Sequence, residues 1–177
     1  MTQERNRNPR TDSQYEQLLE SLQDYKEDGT VEVEDWENVE NLGEIPKKEV
    51  YKLPEQDANN LLSFYISIVA ETETLSTLIL SAEVFDHGRK RKGSYEFLSE
   101  SFTQKHKEDM LFYLGMIDEG LKGELSRLRK RRNELAHTDR HQEFENINNI
   151  ISDVKRAKKA KNKLEDIEQK VERNAFQ

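Results

Sequence analysis

The chain has no cysteine. That excludes disulfides, cysteine-ligated zinc and thiol catalysis, and it suits a reducing cytoplasm. Its three prolines, Pro9, Pro46 and Pro54, all fall in the first third, so everything after Pro54 is free of the strongest helix breaker. Glycine is sparse. Gly115, Gly120 and Gly123 are too scattered for a phosphate-cradling loop and lack its lysine-serine ending. The longest apolar run, Leu61 to Ala70, is half of what a bilayer demands and contains two serines. The opening MTQERNRNPR has no apolar stretch of the signal-peptide kind. These absences predict a cytoplasmic protein without a membrane segment.

Apolar residues make up 33% of the chain and charged ones 36%, so a core forms only if the apolar minority is gathered onto continuous stripes. The net charge of −8 is unevenly divided. Residues 1–57 carry 16 acidic and 7 basic side chains, a balance of −9; residues 58–177 carry 20 and 21, a balance of +1. The second part is neutral on average but blocked, with basic clusters at Arg89-Lys90-Arg91-Lys92, Arg127 to Arg132 and Lys155 to Lys163. Such blocks are either solvated helix faces or footprints for phosphate backbones.

The periodicity predicts an all-α fold: a helical bundle of four to five helices, a long charged C-terminal helix and a partly disordered acidic N-terminal arm. Residues 1–52 form that arm, with one short helix carrying Tyr15, Leu18, Leu19, Leu22 and Tyr25, capped by Asp12 or Ser13 and stopped by Gly29. Val31-Glu32-Val33 alternates like a strand but has no evident partner, and Trp36 is the arm's anchor. Residues 53–155 form the main domain. Its long helix runs from Glu55 to Phe85 with two apolar stripes, Leu61, Tyr65, Ile68, Leu75, Ile79 and Leu62, Ile66, Val69, Leu80, Val84. So wide an apolar surface implies burial on more than one side, or a subunit interface. A basic loop from Asp86 to Gly93 leads to short helices at Tyr95–Glu100 and Thr103–Met116. Asp118 caps the next helix, and a last one spans His141 to Glu172, its charged part after residue 155 projecting as an extension, residues 156–177.

The Asp118-capped helix carries the most specific signal. Leu121, Leu125, Leu128 and Leu135 mark its core stripe, and the position that completes the four-three-four-three rhythm is Arg132. A guanidinium rarely faces a core without a partner, because an unpaired buried charge costs several kcal/mol or more. Asn133 and His137 stand at i and i+4, so the amide can hydrogen-bond the imidazole and fix its orientation. A permanent cation, an orienting amide and a group titrating near neutrality are the parts needed for phosphodiester cleavage. No metal site is expected: His137 and His141 are spaced to chelate a cation, but no carboxylate pair accompanies them. The bland alternative pairs Arg132 with a carboxylate of a neighbouring helix and leaves His137 as a helix-ending cation suited to the dipole.

The stretch Phe112-Tyr113-Leu114-Gly115-Met116-Ile117-Asp118, then Leu121, Leu125 and Leu128, running into Arg131-Arg132-Asn133-Glu134-Leu135-Ala136-His137, resembles the HEPN superfamily of all-helical nucleases. The resemblance covers roughly residues 55–155. It implies a homodimer whose two motif helices build one composite cleft. It further implies RNA cleavage without metal or cofactor, leaving a 2′,3′-cyclic phosphate and a 5′-hydroxyl. Arg132, Asn133 and His137 would be catalytic, and Arg129, Lys130, Arg131, Arg89, Lys90, Arg91 and Lys92 would hold RNA. A toxin-like or defence role follows from the same resemblance, with an antitoxin or regulatory protein as a partner. Where several toxin-type members carry a tyrosine two residues after the histidine, this chain has Asp139, so modification at that position is not expected. Many HEPN-like domains are non-catalytic dimeric regulators or adaptors, and that is the alternative function.

Overall fold

Beyond Pro54 most of the described residues are helical, as the lack of further proline allows. The computed structural model describes residues 9–28, 31–32, 50–84, 88–137, 143–144 and 146–175. Among the described residues it is an all-α helical bundle of six helices: α1 (Pro9–Asp28), α2 (Glu55–Val84), α3 (Gly88–Ser101), α4 (Gln104–Tyr113), α5 (Glu119–His137) and the long α6 (Ile147–Ala175). No helix among the described residues is long and apolar enough to cross a membrane.

Three short strands, β1 (Val31–Glu32), β2 (Val50–Lys52) and β3 (Glu143–Phe144), pair antiparallel in the order β1-β2-β3. Val31 lies opposite Tyr51, and Tyr51 opposite Phe144. The strand expected near Val31 therefore does have partners; they lie too far along the chain for local alternation to reveal them. The element before α6 is this third strand, so the last helix begins at Ile147 and not near His141.

Two compact units divide the chain, Met1–Phe64 with Glu134–Val154 and Tyr65–Asn133 with Lys155–Gln177. The first buries Leu18, Leu19 and Leu22 of α1, Leu53, then Ala58, Leu61 and Phe64 of α2, with Leu135, Ile147, Ile150, Ile151 and Val154. Tyr15 packs its ring against Phe64 at 6.2 Å, and Ser21 donates a 2.6 Å hydrogen bond to Asp57. The N-terminal helix is thus a 20-residue core element, starting at Pro9, ahead of the Asp12 or Ser13 cap expected from sequence. Trp36 lies outside the described residues, as do His87, Asp139 and His141.

The second unit has a different interior. Along α2 the buried positions pass from Ile68 and Val69 to Thr72, Ser76, Thr77 and Ser81. Each hydroxyl donates to a carbonyl of the preceding turn: to Val69 at 2.9 Å, Thr72 at 2.7 Å, Glu73 at 2.8 Å and Leu78 at 3.0 Å. That internal bonding lets small polar side chains be buried without an unsatisfied donor. Two members of the expected apolar stripes, Ile66 and Val84, are about half exposed instead, at 50% and 47%.

Residues 88–93, expected as a loop, begin α3, because neither Gly88 nor Gly93 breaks a helix that starts at one of them and continues through Leu98. The second half of α6 does not project. Ala157, Ala160, Lys161, Leu164 and Val171 are buried, at the three- and four-residue spacing of a packed face.

Candidate nucleic-acid interface on helix α5

The turn into α5 is fixed by its sequence. α4 ends at Tyr113, and the N–H groups of Leu114 and Gly115 donate to Met110 and Phe112. Gly115 has φ of 70°, the left-handed conformation that costs a residue with a Cβ about 1–2 kcal/mol. Asp118 then caps α5, accepting a 2.6 Å hydrogen bond from the Leu121 N–H, as expected from sequence. From there the helix runs unbroken to His137.

Leu121, Leu125, Leu128 and Leu135 are all buried, so the stripe is where its rhythm put it. Arg132, on the same stripe, is half-buried. No hydrogen bond or ion pair joins it to another described residue. The carboxylate partner that a purely structural role requires is therefore missing among the described residues. Asn133 and His137 are exposed, and neither side chain hydrogen-bonds a described residue, so the expected amide–imidazole bond is not formed. Both groups face solvent with their hydrogen-bonding capacity open.

Arg129 is placed otherwise than expected. Its Nε donates to Glu108 Oε1 at 2.9 Å and its Nη2 to Oε2 at 3.0 Å, a two-pronged pair with a carboxylate that is only 2% exposed. Burial pushes the Glu108 carboxyl above its ordinary range, and the Arg129 hydrogen bonds oppose that shift without cancelling it. Arg129 commits its Nε and Nη2 to this interior contact, which sets it apart from the exposed cations of the same basic run. Lys130 is exposed and Arg131 half-buried on the following positions. Arg89, Lys90 and Arg91 belong to the start of α3, where only their backbone is described, and Lys92 is exposed. Two basic groups thus sit on two helices of the second unit.

Sequence reasoning missed the buried charges of that unit. Lys107 is fully buried and bonds Glu73 at 3.0 Å; Lys161, 3% exposed, pairs with Glu71 at 3.2 Å and Glu165 at 2.9 Å. The signal that picked out Arg132 was present for both. Lys107 lies between Gln104 and Leu111 on the buried side of α4, and Lys161 between Ala157 and Leu164 on that of α6. A charge on an apolar stripe thus marks two situations, and only the structure separates them. Lys107, Lys161 and Glu108 each meet an opposite charge; Arg132 meets none among the described residues.

Among the described residues no group of three or more histidine, aspartate or glutamate side chains is arranged to hold a metal ion. The chain matches no family model, no curated protein and no solved structure.

Proposed function

We propose that this protein is a metal-independent endoribonuclease of the HEPN type, working as a homodimer whose cleft is assembled from two copies of α5. The observation that carries the reading is the half-buried Arg132 without a carboxylate among the described residues, next to exposed Asn133 and five residues before exposed His137. An arginine left without an internal partner at the edge of a core is poised to accept an anion from outside.

In this reading the 2′-oxygen of a ribose attacks the adjacent phosphorus while the bond to the 5′-oxygen breaks. One proton leaves the 2′-hydroxyl and one reaches the departing 5′-oxygen, giving a 2′,3′-cyclic phosphate and a 5′-hydroxyl. His137 moves a proton at one of these oxygens, and a dimer supplies a second imidazole for the other. Arg132 neutralises charge developing on the phosphoryl oxygens. Asn133, free of His137, offers its amide to a phosphate oxygen. Lys130, Arg131 and Lys92 hold the flanking backbone. Growth arrest or defence, with an antitoxin or other regulatory protein restraining the enzyme in the cytoplasm, is the biological setting the reading implies.

A dimeric adaptor without catalysis is the second reading. It is favoured by one observation, that no hydrogen bond to a described residue orients His137 at the end of α5. Incubating RNA with the purified chain in chelator separates the two. We expect cleavage ending in cyclic phosphate, slowed by about 10²–10⁴-fold in His137→Ala with an unaltered circular dichroism spectrum, since that side chain is exposed. Equal rates for His137→Ala and the unaltered chain would remove His137 from the mechanism, and no cleavage by the unaltered chain would leave the adaptor.

A further inference from the structure

The proposed reaction makes no use of a cluster at the α4–α5 turn. Phe112 and Tyr113 lie with ring centroids 5.7 Å apart, inclined by 63°. The Lys122 ammonium stands 4.5 Å from the Phe112 centroid and 5.6 Å from that of Tyr113. Asp109 holds the same ammonium at 2.7 Å, and that hydrogen bond keeps Lys122 above the usual lysine range, so it stays charged. Tyr113 itself is 81% exposed. A single exposed aromatic needs no explanation. This one, however, sits on a turn fixed by the left-handed Gly115 and by hydrogen bonds from Leu114, Gly115 and Met116 back into α4. An ordered, largely exposed ring with a cation over one face is an arrangement on which nucleic-acid bases stack, the base taking the other face.

Charge and helical register select the occupant. α5 carries six basic residues (Lys122, Arg127, Arg129, Lys130, Arg131 and Arg132) against three acidic ones (Glu119, Glu124 and Glu134). On an ideal helix Lys122 and Asn133, eleven positions apart, differ by only about 20° in direction. Lys122, the cation of the platform, and the motif's amide therefore belong to one face of α5. Lys122 and Arg132 are separated by a rise of roughly 15 Å along the axis. A stacked strand advances about 3.4 Å per nucleotide, so about four nucleotides span that distance. A protein partner is disfavoured here by area. Only Tyr113 and Leu114 offer large exposed apolar side chains at this turn, far short of the roughly 800 Å² per partner of a stable interface.

We propose that Tyr113, backed by Phe112 and Lys122, is a base-stacking subsite for single-stranded RNA, holding one unpaired base about four nucleotides from the phosphate that Arg132 engages. The proposal rests on the RNA-cleaving reading of α5 and gives it a substrate class. A base inside a duplex has both faces covered, so the subsite favours single strands and loops.

The test uses the full chain and a short 2′-O-methyl RNA, which lacks the attacking hydroxyl, as a single strand and annealed to its complement. Fluorescence anisotropy is expected to show tighter binding of the single strand. Tyr113→Ala should weaken that binding about ten-fold or more, leave duplex binding unchanged, and be matched by recovery in Tyr113→Phe. Since Tyr113 is exposed, circular dichroism should report an intact fold in both variants. The proposal is overturned by single-strand binding in Tyr113→Ala equal to that of the unaltered chain, or by equal losses on single strand and duplex. It is overturned also if light scattering shows that Tyr113→Ala splits a dimer, which would make the turn a contact between copies. Cleavage of unmodified RNA in chelator is measured in parallel. Cleavage with Tyr113-independent binding sinks the subsite alone, and Tyr113-dependent binding without cleavage sinks the ribonuclease reading alone.

Discussion

The two compact units are built on opposite principles. In Met1–Phe64 with Glu134–Val154, the buried side chains are all apolar among the described residues. In Tyr65–Asn133 with Lys155–Gln177, the interior holds Lys107, Glu108, Lys161 and Gln104 beside a row of serines and threonines. An apolar interior is held by area removed from water, which does not depend on pH. A charged interior depends on each ion keeping its partner, because desolvation consumes most of the Coulombic gain. The unit that carries Arg132 and Asn133 is therefore the one whose stability answers to protonation.

The largest effect that would sharpen this contrast is Phe64→Ala. The ring is fully buried, and its loss should cost about 3–5 kcal/mol, equally at neutral and acid pH, as urea denaturation would measure. A marked pH dependence would break the contrast from the apolar side.

Arg129→Leu is expected to cost less, about 1–3 kcal/mol at neutral pH, by leaving the Glu108 carboxylate buried without its cation. The sign of its pH dependence follows from Glu108, whose carboxyl lies above its ordinary 4.5. The folded protein holds that proton more tightly than the unfolded chain, so this group's contribution is full below 4.5 and is lost as pH rises through the folded pKa. Removing Arg129 removes the group that opposes the upward shift, so the variant should lose more at pH 7 than near pH 4. An equal loss at both pH values would show that the pair acts only by packing.

The smallest effect is Asp109→Asn. The hydrogen bond from Lys122 holds Asp109 below its ordinary 3.8, so its contribution is present above that value and lost as pH falls through the lower folded pKa. Both partners are solvent-screened, so the midpoint of thermal unfolding at pH 7 should not move measurably. A clear drop would mean that the α4–α5 turn is held by this pair and not by its backbone.

How much was legible can be judged residue by residue. The stripe of α5 could be read because a helix repeats every 3.6 residues, which makes Leu121, Leu125, Leu128 and Leu135 a local pattern. The same period gave the start of α2 at Glu55, and Asp118 as a cap, while the expected end at Phe85 lies outside the described residues. The strand pairing of Val31 with Tyr51, and of Tyr51 with Phe144, could not be read, because nothing local encodes a partner so far away. Nor could the start of α3 at Gly88, where a glycine-bounded basic stretch resembles a loop until Leu98 is seen to be buried. Among the candidate cations, the sequence could not tell Arg129 from Lys130. They are neighbours in one basic run, yet one bonds buried Glu108 and the other faces solvent.

The sequence by itself determined that this chain is helical, that α5 presents leucines on one side, and that Arg132 interrupts them before Asn133 and His137. Those properties follow from periodicity, capping and the absence of breakers, all of which act over a few residues. Only the tertiary structure decided which charges are satisfied. Lys107 finds Glu73, Lys161 finds Glu71, and Arg129 finds Glu108, while Arg132 finds no partner among the described residues. A carboxylate's reach is only a few ångströms, and the fold, not the spacing along the chain, brings one within it.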